Sequence, residues 1–147
     1  MGFTALHLEE IMGHCIELAL RSSSHNTKLP NVGALVVSDN YYIVGRGYKS
    51  RDKSGFVEHG ERVALDDAGY LARGATLFTT LEPCYTSKKM VFKSCSELIV
   101  ERGIRRVIFG LLDNSPSMNP GSGVGYLKKR GVMVETYQAL NRTITEK

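Results

Sequence analysis

Thr76-Leu77-Phe78-Thr79-Thr80-Leu81-Glu82-Pro83-Cys84 is the stretch from which the remainder of the 147-residue chain can be ordered. Residues 76–81 read as a strand that a proline and a cysteine follow. Upstream, Val32-Gly33-Ala34-Leu35-Val36-Val37 reads as a buried strand, Ser38-Asp39-Asn40 as a turn, and Tyr41 to Gly47 as a second strand. Two strands joined this closely pair as an antiparallel hairpin. A polar loop from Lys49 to Gly55 leads to a helix over Glu58 to Ala72, with Val63, Ala64, Leu65, Ala68 and Leu71 on its inner side. Downstream, Ser94 is a natural N-cap for a helix over Cys95 to Arg102, and Gly103 is a natural stop. Arg106 to Leu111 then reads as a strand, Gly125 to Arg130 as a short helix ended by Gly131, and Val132 to Glu135 as a last strand. At the N-terminus, from about Thr4 to Arg21, Leu8, Ile11, Met12, Cys15, Leu18 and Ala19 recur on one helical face.

The order is therefore α-β-β-α-β-α-β-α-β. Each of the last three strands is separated from the next by a helix, and right-handed crossovers make such strands parallel. The expected fold class is α/β, a three-layer α/β/α arrangement. Its mixed five-stranded sheet would carry an antiparallel hairpin at one side and helices on both faces.

Composition excludes several classes. Hydrophobic residues make up 42% and charged residues 23% of the chain, which suits a globular domain with a proper core. No apolar run is long enough to span a membrane, and the start of the chain lacks the basic segment of a signal peptide. A cytoplasmic location is the expectation. The net charge of +4 allows an anionic substrate without demanding one. Lys88-Lys89 and Lys128-Lys129-Arg130 read as solvated basic faces rather than as a nucleic-acid surface. Three cysteines, Cys15, Cys84 and Cys95, are too few and odd in number for a disulfide framework. Cys15 lies on the apolar face of the first helix and is expected in the core. His7 and His14 lack a metal-like partner pattern, and His25 reads as a loop residue.

Three pieces could carry chemistry. His59-Gly60-Glu61 opens a helix, Pro83-Cys84 follows the strand over 76–81, and Cys95 opens the next helix. Ligands of open α/β sheets gather outside the carboxyl ends of strands, where Cys84 would stand. One imidazole and two thiolates make a good Zn2+ set, and three protein ligands leave a fourth tetrahedral position for water, as in catalytic sites. Helix starts would help keep the thiols deprotonated. Zinc brings the pKa of bound water to about 7. Glu61, two residues from His59, would point into the adjoining pocket and serve as general acid and base. His-x-Glu or Pro-Cys alone is commonplace; the weight lies in their order, their placement and the third ligand from Cys95.

With these residues in place the chain resembles the cytidine deaminase-like superfamily, whose signature is H-x-E followed by P-C-x-x-C. The resemblance runs from about Leu29 to Glu135 and is nearest to the deaminase domain of riboflavin biosynthesis. It rests on Ala72-Arg73-Gly74-Ala75 with the strand through Cys84, on Gly103-Ile104-Arg105-Arg106-Val107, on Asp113-Asn114-Ser115-Pro116, and on Gly123-Val124-Gly125-Tyr126-Leu127. It implies His59, Cys84 and Cys95 as zinc ligands, Glu61 as proton shuttle, and a homodimer or higher homo-oligomer. A single deaminase domain over residues 1–147 is the expectation, since bacterial riboflavin deaminases usually carry a fused reductase and none follows Lys147 in this sequence.

The departures fall on the substrate side. The ten residues from Tyr85 to Ser94 separate Cys84 from Cys95, where most of the superfamily has two. The riboflavin branch also has a long spacing, but with a His and a Gly-basic-Thr-Pro-Pro stretch that this chain lacks. Lys88 or Lys89 could meet a phosphate instead, or Met90, Val91 and Phe92 could form an apolar lid. Pro30-Asn31-Val32-Gly33 is two residues shorter than the family's Pro-Asn-Pro-x-Val-Gly, with Asn31 a candidate for a base edge. Lys49 stands where relatives place Asn or His. The expected reaction is hydrolytic deamination of a pyrimidine-type ring on a small heterocyclic amine, with or without a phosphate. Two rivals are a deaminase acting on a base in tRNA or single-stranded nucleic acid, and an inactive zinc-binding scaffold.

Overall fold

The computed structural model describes residues 3–22, 32–48, 50–51, 57–83, 94–111 and 122–137. In chain order the elements are α1 (Ala5–Ser22), β1 (Gly33–Val37), β2 (Ile43–Tyr48), β3 (Ser50–Arg51), β4 (Val57–Glu58), α2 (Gly60–Ala68) with a 3-10 turn over Gly69–Ala72, β5 (Thr76–Leu81), α3 (Cys95–Glu101), β6 (Arg106–Leu111), α4 (Ser122–Lys129) and β7 (Met133–Thr136). Five strands form one sheet in the order β2-β1-β5-β6-β7. β1 is antiparallel to both β2 and β5, whereas β5, β6 and β7 run parallel. The mixed sheet expected from the sequence is the sheet observed.

Alternation along the strands divides the core into two layers. Ala34, Val36, Leu77 and Val107 face one side and pack with Ala64, Leu65 and Ala68 of α2, Leu98 and Ile99 of α3 and Leu127 of α4. Leu35, Val37, Phe78 and Ile108 face the other side and pack with Met12, Cys15 and Leu18 of α1. Each fully buried Leu, Ile or Phe contributes about 1.5–3 kcal/mol. Cys15 is fully buried, as its place on the apolar face implied. Its Sγ donates toward the Phe78 carbonyl at 3.7 Å, and burial holds its thiol pKa far above the ordinary 9.0. His14 pairs with Glu17 on the exposed flank of α1 at 3.6 Å.

Two glycines of β2 decide how closely α2 approaches the sheet. A Cβ at Gly45 would lie 2.3 Å from the Ala64 carbonyl oxygen, and one at Gly47 would lie 2.3 Å from that of Gly60. Only hydrogen fits at either place, so the backbone of α2 rests directly on β2 and its first turn is fixed over the end of the strand.

The largest differences from the sequence reading lie at α2 and α4, the other elements agreeing to within one or two residues. The helix expected over 58–72 is shorter: Val57–Glu58 pair with Ser50–Arg51 in a two-stranded ribbon, and Gly69 at φ +57° ends α2. Part of the polar loop after Lys49 is thus strand. α4 starts at Ser122 rather than Gly125, so that it includes Gly123 and Gly125. Among the described residues no helix is long and apolar enough to cross a membrane.

Candidate metal centre

His59 is the N-cap of α2, in extended backbone (φ −72°, ψ 146°), and Glu61 is the second residue of the helix. Standing one step outside the helix, His59 is not bound to helical side-chain spacing, so the two side chains converge although two residues apart. Cys95 is the first residue of α3. That start is fixed by a complete capping box, in which the Glu97 amide donates to Ser94 Oγ at 3.3 Å and the Ser94 amide donates to Glu97 Oε1 at 3.1 Å. The reciprocal pair satisfies amides that the helix itself leaves open.

The two helix starts meet. Cys95 Sγ lies 3.5 Å from His59 Nδ1, and one carboxylate oxygen of Glu61 lies within 4.8 Å of Cys95 Sγ and of a ring nitrogen of His59. Cys95 and Glu61 are buried, at 1% and 2% exposure, and His59 is exposed, so the cluster opens to solvent on the imidazole side. Bond lengths of about 2.0 Å for zinc–nitrogen and 2.3 Å for zinc–sulfur, set at the tetrahedral angle, place the two donors about 3.5 Å apart. The observed separation, which also suits a hydrogen bond between thiol and imidazole, equals the spacing that a tetrahedral ion would require of these two donors. Imidazole and thiolate are also the donor types that zinc prefers.

Arg102, at the end of α3, ties that helix to α2. Its Nη1 donates to the Leu65 carbonyl at 3.1 Å and its Nη2 pairs with Asp66 at 2.7 Å. The two helices whose starts form the cluster are therefore clamped together at a second point. The sequence reading did not single out Arg102, nor the buried Glu82 and Ser96 near the end of β5. A carboxylate directly after an apolar strand and directly before Pro83-Cys84 was the available signal for Glu82.

Of the residues expected at the site, the structure brings together His59, Glu61 and Cys95. Cys84, Asn31, Lys49, Lys88 and Lys89 lie outside the described residues.

Comparison with known proteins agrees with this geometry. The family model for the cytidine and deoxycytidylate deaminase zinc-binding region matches residues 6–111. The riboflavin biosynthesis protein RibD of Buchnera aphidicola subsp. Baizongia pistaciae is 39% identical over 123 residues, covering 84% of this chain and 31% of that protein. The diaminohydroxyphosphoribosylamino-pyrimidine deaminase of Buchnera aphidicola subsp. Acyrthosiphon pisum is 37% identical over 125 residues, covering 85% of this chain and 80% of that protein. Among solved structures, RibD of Acinetobacter baumannii superposes with a TM-score of 0.76 at 32% identity, covering 95% of this chain and 38% of that one. The chain thus spans about a third of the length of the longer relatives it matches.

Proposed function

Because the chain belongs to the cytidine and deoxycytidylate deaminase family, a family of zinc-dependent deaminases, we propose that it hydrolyses an exocyclic amine of a pyrimidine-type ring to a carbonyl, with release of ammonia. The observation that carries this reading is the 3.5 Å approach of Cys95 Sγ to His59 Nδ1, with the Glu61 carboxylate beside both. His59, Cys95 and Cys84 are the ligands in this reading, and Glu61 is the acid and base.

Zinc, when bound, supplies a Lewis acid that makes water nucleophilic at neutral pH. Glu61 does the proton work. Its carboxylate takes a proton from the attacking water and delivers it to the ring nitrogen next to the amine-bearing carbon. It then takes the second proton of the added oxygen and delivers it to the departing amine. The carbon–nitrogen bond breaks, ammonia leaves and a carbonyl remains. A carboxylate buried at 2% exposure suits a group that must exchange protons with substrate rather than with bulk solvent.

The substrate in this reading is a diaminopyrimidine carrying a phosphorylated ribose chain. Support comes from the Buchnera deaminase, named for such a compound, of which this chain covers 80%. Asn31 would meet the ring edge, and Lys49, Lys88 and Lys89 the anionic group. The same reading makes residues 1–147 a single deaminase domain that works as a homo-oligomer in the cytoplasm.

Ammonia release by zinc-loaded protein tests it. The panel holds the diaminopyrimidine phosphate, cytosine, cytidine and its phosphates, guanine, adenosine, transfer RNA and single-stranded DNA, each run beside Glu61→Ala. Release from the diaminopyrimidine phosphate, abolished in the variant, is the expected result. Release from a polymer alone would replace it with nucleic-acid editing, and no release from any member would overturn the pyrimidine reading.

A further inference from the structure

The chain leaves β5 through Glu82 and Pro83 toward Cys84. Glu82 is 1% exposed, and a buried carboxylate is costly unless other groups hold it. One such group is the amide of Val124 in the first turn of α4, which donates to Glu82 Oε2 at 3.0 Å. First-turn amides have no partner within their helix and form its positive end, so this acceptor suits them. The next residue is held from both sides. Ser96 Oγ, fully buried in α3, donates to the Pro83 carbonyl oxygen at 3.2 Å. Gly123 of α4 lies so close to the same oxygen that a Cβ there would stand 2.0 Å from it.

Glu82-Pro83 is thus gripped between the first turns of α3 and α4. Ser96 adjoins Cys95 in the chain, and Pro83 adjoins Cys84. The hydrogen bond from Ser96 to Pro83 therefore joins the neighbours of the two cysteines, and the one from Val124 to Glu82 fixes the same segment to a third element.

We propose that Glu82 is a positioning residue for the metal centre: its buried carboxylate anchors Glu82-Pro83, from which the chain runs on to Cys84, to α4, and Ser96 ties the same two residues to α3 beside Cys95. The proposal rests on the reading of Cys84 and Cys95 as ligands. A role confined to folding would weaken apo and zinc-bound protein alike and leave the metal affinity of the folded chain unchanged. A positioning role changes the affinity and the ligand geometry.

The test uses the full chain as wild type, Glu82→Ala, Glu82→Gln, Ser96→Ala and Cys84→Ser. Zinc affinity is measured by competition with a chromophoric chelator, and ligand geometry from the thiolate-to-cobalt charge-transfer band of the Co2+ form. Circular dichroism reports folding of each apo protein. Glu82→Ala should weaken zinc about 10- to 100-fold, the range found when groups supporting metal ligands are removed, and should alter the cobalt band. Glu82→Gln keeps an oxygen for the Val124 amide and should restore both. Wild-type affinity and an unchanged band in folded Glu82→Ala would overturn the proposal. Should Glu82→Ala not fold, Ser96→Ala decides: weaker zinc supports the proposal and unchanged zinc overturns it. Cys84→Ser separates the two levels, since undiminished zinc affinity in that variant would sink the ligand assignment itself.

Discussion

Cys95 Sγ and His59 Nδ1 stand 3.5 Å apart across 36 positions of sequence, each delivered by the start of a different helix. Neither side chain holds its own helix start: α3 is capped by Ser94 and Glu97, and the His59 side chain makes no capping bond to α2. His59→Ala and Cys95→Ser should therefore fold and yet fail to retain zinc. Dialysis against a chelator followed by atomic absorption reads this directly. A variant that still holds one zinc per chain would remove that residue from the ligand set.

Glu61→Gln should separate binding from chemistry. The amide fills the same buried space, so zinc content should match wild type. Ammonia release should fall by about 10²- to 10⁴-fold, the usual contribution of a positioned acid and base. If zinc were lost along with activity, Glu61 would be a ligand rather than a proton carrier.

Gly47→Ala should disturb the centre from a distance. Its Cβ would be pressed against the Gly60 carbonyl oxygen and lie 2.4 Å from the Ala64 amide nitrogen. The first turn of α2 must then lift from β2, at a cost of about 1–3 kcal/mol as in other overpacked sites. Urea unfolding should show that loss, and chelator competition should show weaker zinc in the folded variant. Unchanged values in both would mean that α2 does not rest on β2 as described.

The buried thiol of Cys15 predicts an alkaline limit to stability. Its pKa is raised in the folded chain by desolvation, above the 9.0 of an exposed thiol. Below about pH 9 both states keep the proton and the contribution is fully present. Above it the unfolded chain ionises first, and stability falls by up to about 1.4 kcal/mol per pH unit until the folded value is passed. Denaturant midpoints from pH 8 to about 10.5 should decline less steeply in Cys15→Ala than in wild type. Equal slopes would show that this thiol is not desolvated.

The strands and the members of the His59, Glu61 and Cys95 cluster were legible because their signals are local. β5 and β6 have the bounds read from the apolar runs over 76–81 and 106–111, and Ser94 announced the start of α3. Where the reading slipped, a partner distant in sequence decided. The helix expected from Glu58 loses its first residues because Val57–Glu58 pair with Ser50–Arg51, a two-residue ladder with no periodicity of its own. α4 begins at Ser122, three residues before the start read at Gly125, and its added residue Gly123 packs against the Pro83 carbonyl, a contact distant in sequence. His59, Glu61 and Cys95 could be found by donor type and order. Glu82, Ser96 and Arg102 act through backbone groups of other elements, and such contacts leave no pattern in one sequence.

The capping box of α3 has a consequence for assembly of the site. Ser94 and Glu97 start the helix with atoms of their own, so the hydrogen bonds that fix the turn carrying Cys95 lie within residues 94–97. A donor mounted on a self-stapled helix start is in place before any ion arrives, and zinc would meet a backbone that needs no rearrangement to present it.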